Sequence, residues 1–279
     1  MAMKMIGLPS GERVPALGLG TWNMGDDRAA RNEELAALRL GIERGLTLID
    51  TAEMYGDGRS ETLVGEAIAG QREKIFLVSK VLPGNASRRG TVAACERSLK
   101  RMRTEVIDLY LLHWRGGVPF AETIEAFVAL QAAGKIRHFG VSNLDLADMR
   151  EFVAAGGGGA VTTNQLLYNL SRRGIEWDLL PWLRTSHIPL MAYSPLEQAR
   201  LVGHPGLVAF ARRHAMTAAQ AALAWLLAQK DVIAIPKSAS RARMEENIGA
   251  LDHTLSVAQC AELATLFAPP AGPSPLAML

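Results

Sequence analysis

Four titratable side chains of different chemistry stand where short apolar runs of this sequence end: Asp50, Tyr55 just beyond it, Lys80 and His113. A free phenol titrates near pH 10 and is a poor proton donor at neutral pH. An ammonium about 4 Å away, at an effective dielectric of about 20, favours the phenolate by roughly 4 kcal/mol before desolvation offsets part of that. With Lys80 in that role, Tyr55 becomes a usable general acid. Asp50 would keep the lysine charged and oriented, and His113 could hydrogen-bond a substrate oxygen and share the proton transfer. An acid placed over a carbonyl oxygen makes the carbonyl carbon electrophilic. Singly, the four have plainer readings as a turn cap, a loop aromatic, a surface charge and a core histidine. A barrel lyase forming a Schiff base on Lys80 is a second chemistry, opposed by the carboxylate that would keep the amine protonated. A non-catalytic nucleotide-binding subunit is a third reading, since fold does not fix function.

A second polar set follows. Ser142, Asn143 and Gln165 can satisfy the acceptor and two donors of a carboxamide, and Tyr193 can stack on a flat ring, which together suit a nicotinamide. Lys237, Ser238 and Arg243 combine two cations, a hydroxyl and a helix start, the makings of an anion site. Gly18-Leu19-Gly20 runs on into Thr21-Trp22 without completing Gly-x-Gly-x-x-Gly, so a Rossmann fingerprint is absent. Trp22 and Trp114, with Met24, Met54 and Phe120, would form an apolar wall favouring small or flat carbonyl compounds.

Such residues meet only if the chain brings many strand ends to one rim. Strand-like runs fall at 17–19, 46–50, 75–80, 106–113, 136–142, 163–166, 189–193 and 232–236. Between and after them, apolar spacing near 3.6 predicts helices over 31–44, 60–69, 88–102, 121–133, 145–155, 176–185, 217–229 and 241–250. Alternating strands and helices imply a parallel sheet, open or closed. No Pro-, Ser- and charge-rich linker divides the 279 residues, so the expected fold is α/β, one (β/α)8 TIM barrel over residues 1–279. Stretches 4–6 and 12–14 flank a Gly/Pro/Ser/Gly turn and predict a hairpin across the barrel floor. Ser60 and Asp145 read as helix caps, Gly134 and Gly174 as stop or turn positions. The proline-rich tail, 269–279, reads as an irregular surface segment.

Composition bounds the partners. With 49% hydrophobic residues the chain can bury a large core, and a net charge of +2 without a basic block gives no sign of nucleic acid. Cys95 and Cys260 lack metal-ligand spacing and read as packing residues. No run has the length of a membrane span and the N-terminus lacks a signal-peptide pattern, so a cytoplasmic location is expected.

The sequence resembles the aldo-keto reductases. The resemblance rests on Gly18-Leu19-Gly20-Thr21-Trp22, Asp50-Thr51-Ala52-Glu53-Met54-Tyr55, Val78-Ser79-Lys80, the segment Asp108 to Trp114, and Gly140-Val141-Ser142-Asn143. It continues through Asn164-Gln165, Ala192-Tyr193-Ser194-Pro195-Leu196 and Ile235-Pro236-Lys237-Ser238, with Arg243, Glu246 and Asn247. It implies a catalytic tetrad of Asp50, Tyr55, Lys80 and His113, no metal, and hydride delivery from a nicotinamide to an aldehyde or ketone. NADPH is the cofactor implied, because Lys237, Ser238, Arg243 and Asn247 match positions around the adenosine 2′-phosphate and adenine. Thr21, Trp22, Asp50, Ser142, Asn143, Gln165, Tyr193, Ser194, Leu196 and Glu246 match further cofactor contacts. The substrate would meet Trp22, Met54, Tyr55, His113 and Trp114. Bacterial reductases of small aldehydes, methylglyoxal reductases included, are the most similar subgroup, and a monomer is implied. Three departures bear on substrate range. Ala239-Ser240 replaces a common aromatic or aliphatic residue followed by Asn, so one adenosine contact is lost or taken by Ser240. Gly56-Asp57-Gly58-Arg59-Ser60 lengthens the loop after Tyr55, and the tail lacks bulky aromatics.

Overall fold

The structure, a computed structural model, describes residues 3–279. Met5–Gly7 (β1) and Arg13–Pro15 (β2) pair antiparallel, with Ile6 opposite Val14 and both buried. Eight parallel strands follow in chain order: β3 (Leu19–Gly20), β4 (Leu48–Asp50), β5 (Phe76–Val81), β6 (Ile107–Leu112), β7 (Ile136–Ser142), β8 (Val161–Leu167), β9 (Leu190–Tyr193) and β10 (Val232–Ala234). Each pairs with its sequence neighbour. The ring closes where Leu17 and Gly20 bridge in parallel to Ala234 and Lys237. Three backbone hydrogen bonds stitch this seam: Gly18 N–H to Ala234 O at 2.8 Å, Ala234 N–H to Ala16 O at 2.8 Å, and Gly20 N–H to Pro236 O at 3.0 Å. The expected (β/α)8 barrel is therefore present, hairpin included.

Strands buried on both faces read as unbroken apolar runs rather than alternating ones. Every residue of β5 and β6 is buried, and among their polar members Ser79, Lys80 and Asp108 each find a partner. Close approach at the seam requires glycine. A Cβ on Gly20 would lie 2.6 Å from the Ile235 carbonyl oxygen, nearer than real Cβ atoms come.

Helices α1 (Arg31–Glu43), α2 (Arg59–Ala67), α3 (Arg88–Met102), α4 (Phe120–Ala132), α5 (Leu146–Phe152), α6 (Leu179–Thr185), α8 (Ala218–Ala228) and α9 (Arg241–Ile248) match the eight expected. Two more, α7 (Pro205–Arg213) and α10 (Val257–Leu266), pack on each other outside the ring. Because α8 is sandwiched between β10 and its neighbours α7 and α9, it is apolar nearly all round and shows no clean stripe. Asp145 caps α5 as expected, accepting from the Asp148 N–H at 2.8 Å, and Gly134 follows α4 with a φ of +68°. Ser60 does not act as a cap. It lies inside α2, fully buried, with its hydroxyl turned toward Thr21.

Charges hold the floor of the barrel. Asp108 accepts from Arg72 at 2.6 Å, from the Leu77 N–H at 2.8 Å and from Arg137 at 2.7 Å. Arg137 also reaches Glu12 of the hairpin at 2.8 Å, which fastens that cover to the start of β7. Among the described residues no helix is long and apolar enough to cross a membrane.

Because the seam has no room for a side chain, Gly20→Ala should destabilise the fold by about 1–3 kcal/mol, the usual cost of overpacking. Thermal unfolding would read this as a lowered Tm, and an unchanged Tm would show that the seam yields freely.

Candidate active site

Lys80, on β5, has no exposed surface. Its ammonium donates to Asp50 Oδ2 at 2.8 Å, to the Thr51 carbonyl at 2.9 Å and to the Tyr55 hydroxyl at 3.1 Å. The second Asp50 oxygen accepts from Gln165 Nε2 at 2.7 Å. Burial pushes Asp50 up and Lys80 down, each toward its neutral form, while their mutual contact holds both toward the ionised pair. A kinked turn follows Tyr55, with Gly56 and Asp57 at positive φ before α2 begins.

Burial first, then the negative charge of Asp50, raises the Tyr55 hydroxyl well above the ordinary tyrosine range. This corrects the net lowering expected from Lys80, because that expectation let desolvation offset only part of the ammonium's effect, whereas full burial together with the Asp50 charge exceeds it. His113, just past β6, meets the Tyr55 ring edge-on at 5.9 Å and is pushed down to about 2 by burial and by the Lys80 charge. It is therefore neutral. Its Nδ1 is buried without a hydrogen-bond partner among the described residues, which leaves Nε2 to serve the cavity.

A cavity of about 720 Å³ opens over this cluster. Of the expected site residues, Thr21, Trp22, Asp50, Met54, Tyr55, His113, Trp114, Ser142, Asn143, Gln165, Tyr193, Ser194, Leu196, Lys237, Arg243, Glu246 and Asn247 line it. Lys80 stands behind Tyr55 and Asp50. Ser238 is buried with its hydroxyl donating to the Ser240 carbonyl at 3.0 Å, and Ser240 itself caps α9 by accepting from the Arg243 N–H. Met24 and Phe120, expected in the apolar wall, are packed into the core. The carboxamide set is partly engaged within the protein. Asn143 donates to Ser142 and the His113 carbonyl and accepts from Tyr193, while Gln165 spends its amide nitrogen on Asp50.

Several lining residues were missed. Met278 and Leu279 bring the tail over the cavity beside Tyr193, where a surface segment was expected; neither periodicity nor a motif marks them. Gln198, Ala199 and Val202 enter from the loop after β9. In that loop Ser194, Glu197, Gln198 and Ala199 have positive φ (48°, 49°, 53° and 70°), a conformation costly for non-glycine residues. Glu197 holds it. Its buried carboxylate accepts from Asn169 at 2.8 Å and from Arg172 at 2.9 and 2.7 Å. Burial alone would raise this carboxyl, but the hydrogen bonds from Arg172 and Asn169 outweigh it and hold it below the usual range.

The far end of the cavity is cationic. Arg241 faces Glu33 and Arg44 takes Glu245, while Lys237 and Arg243 have no carboxylate partner within salt-bridge distance among the described residues. Amide and aromatic groups at one end and two free cations at the other fit an elongated dinucleotide carrying an extra phosphate. Among the described residues no cluster of three His, Cys, Asp or Glu side chains is placed to hold a metal.

Comparison with known proteins decides the family, since the model of the aldo/keto reductase family matches residues 16–267. The chain belongs to the aldo/keto reductase family. It is 50% identical to methylglyoxal reductase YeaE of Escherichia coli, with 100% of both chains covered. It is 33% identical to a glyoxal reductase of Bacillus subtilis, covering 89% of this chain and 87% of that one. A crystal structure of an aldo-keto reductase from Klebsiella pneumoniae in complex with NADPH superposes with a TM-score of 0.97 at 48% identity, with both chains covered completely.

In this aldo/keto reductase Lys80 has no exposed surface and Asp50 almost none, so removing one partner strands a charge. Lys80→Met should cost about 3–5 kcal/mol, and adding Asp50→Asn should restore much of that. Denaturant unfolding of the two variants reads the difference. A double variant no more stable than Lys80→Met would show that the remaining carboxylate is not the source of the loss.

Proposed function

We propose that this protein reduces small aldehydes and ketones with NADPH, with Tyr55 as the general acid. The observation that carries this reading is the Lys80 ammonium 3.1 Å from a Tyr55 hydroxyl that lines the same cavity as the free cations Lys237 and Arg243. When bound, the nicotinamide supplies a hydride to the carbonyl carbon. Tyr55 delivers its proton to the carbonyl oxygen, and the alcohol results. Tyr55 therefore holds its proton at neutral pH, and its release to the carbonyl oxygen depends on what stabilises the phenolate. Lys80 then donates to the phenolate left behind, and Asp50 balances the ammonium. Neutral His113 hydrogen-bonds the carbonyl oxygen through Nε2 and orients it.

Lys237 and Arg243 would hold the 2′-phosphate, with Glu246 and Asn247 beside the adenine. Ser142, Asn143 and Gln165 would border the carboxamide, and Tyr193 would support the ring. Trp22, Met54 and Trp114 leave an apolar mouth suited to a short dicarbonyl, and the name of the Escherichia coli relative points to methylglyoxal. A Schiff base on Lys80 is disfavoured, since its nitrogen already donates to three acceptors.

Mixing the protein with NADPH and methylglyoxal should consume absorbance at 340 nm. Tyr55→Phe should lower kcat by about 10²–10⁴-fold while leaving NADPH affinity intact; undiminished turnover would remove Tyr55 from its role. With His113 neutral down to about pH 2 and Tyr55 protonated beyond its ordinary range, kcat/KM should be flat from pH 5 to 8. An inflection near pH 6.5 that His113→Gln abolishes would contradict this. Arg243→Ala should weaken NADPH about tenfold or more and NADH little, as titration of protein fluorescence would show.

A further inference from the structure

Behind the tetrad lies a run of hydroxyls that the proposed chemistry does not use. Thr21, Thr51 and Ser60 are all completely buried. The Thr51 hydroxyl donates to Ser60 Oγ at 3.1 Å. Ser60 in turn has the Thr21 hydroxyl at 2.8 Å and the Thr21 carbonyl at 3.0 Å as acceptors. The Thr21 hydroxyl donates to the Asp50 carbonyl at 2.8 Å. The chain of protons thus leaves from the side chain of Thr51 and returns to the carbonyl of Asp50, the two sides of one peptide bond.

That peptide joins the two residues that supply two of the three acceptors around Lys80, the Asp50 carboxylate and, one peptide further on, the Thr51 carbonyl. Its other fastening is the Thr51 N–H to the Val78 carbonyl at 2.9 Å. Neither Thr51 nor Ser60 lines the cavity. We propose that Thr51 and Ser60 are positioning residues whose hydroxyl chain locks the Asp50–Thr51 peptide and so aims the Lys80 ammonium at the Tyr55 oxygen. With the chain cut, the Thr51 carbonyl loses its fixed place and the ammonium gains a second position, turned away from Tyr55. The phenolate is then less stabilised, so Tyr55 holds its proton more tightly and delivers it more slowly. Ser60 is on α2 and Thr21 follows β3, so the chain also ties two neighbouring units of the barrel to one proton donor.

The inference rests on Tyr55 being the acid, and the test separates the two. Thr51→Val and Ser60→Ala each delete one link, the first nearly isosterically, while Thr51→Ser keeps the hydroxyl. In NADPH-dependent reduction of methylglyoxal, each deletion should lower kcat about tenfold and move the alkaline limb of its pH profile upward by about one unit, with KM for NADPH unchanged. Thr51→Ser should behave as the parent protein. Because both deletions cut one chain, the double variant should lose no more than about twofold beyond either single. Losses that multiply, or a lowered Tm with kcat and pH limb unmoved, would overturn the proposal. If Ser60→Ala does not fold, Thr51→Val against Thr51→Ser decides alone. A parent protein that turns over methylglyoxal but keeps its rate in Tyr55→Phe would instead sink the assignment of the acid.

Discussion

An ammonium with no exposed surface sits in the wall of this barrel, and most of the polar architecture follows from keeping it there. Isolated charges are very costly to bury, so a buried lysine either loses its proton or is surrounded by acceptors. Here the surroundings are complete: a carboxylate, a backbone carbonyl and a phenol take its three protons. Two of those are fixed in turn, Asp50 by Gln165 across the ring and the Asp50–Thr51 segment by the hydroxyls of Thr21, from the neighbouring unit, and Ser60. A requirement imposed by one side chain thus organises residues from β3 to β8.

The two ends of the barrel answer different demands. At the floor, Asp108 is shared between Arg72 and Arg137, and Glu12 fastens the hairpin, so charge there is matched and closed off. At the opposite rim Lys237 and Arg243 are left unmatched, and strained backbone after β9 is tolerated because Glu197 clamps it. Unmet valence is concentrated where a ligand can meet it.

Much of this was legible in the residues. Parallel strands buried on both faces leave apolar runs that stop abruptly at the rim, so Asp50, Lys80, His113 and Gln165 announced themselves by position. What could not be read depended on desolvation or on contacts between segments distant in sequence. The direction of the Tyr55 shift turned on how completely the phenol is buried, which spacing does not encode. Ser60 looked like a cap because serine before a helical run usually is one; only the fold brings Thr21 and Thr51 to it. Met278 and Leu279 lie in a tail without periodicity, and their approach to Tyr193 has no local signal.

The seam between the first and last units is stitched by fewer backbone contacts than any two long strands of the ring share. A cylinder made this way has a weak line at the seam, as thin as the two-position join of β3 to β4, and thermal breathing should begin at such lines. Thr21 and Trp22 lie on one lip of that line and Pro236 and Lys237 on the other, all of them facing the cavity. A ligand that grips both lips would act as a staple, so occupancy of the cavity and integrity of the cylinder become one equilibrium rather than two.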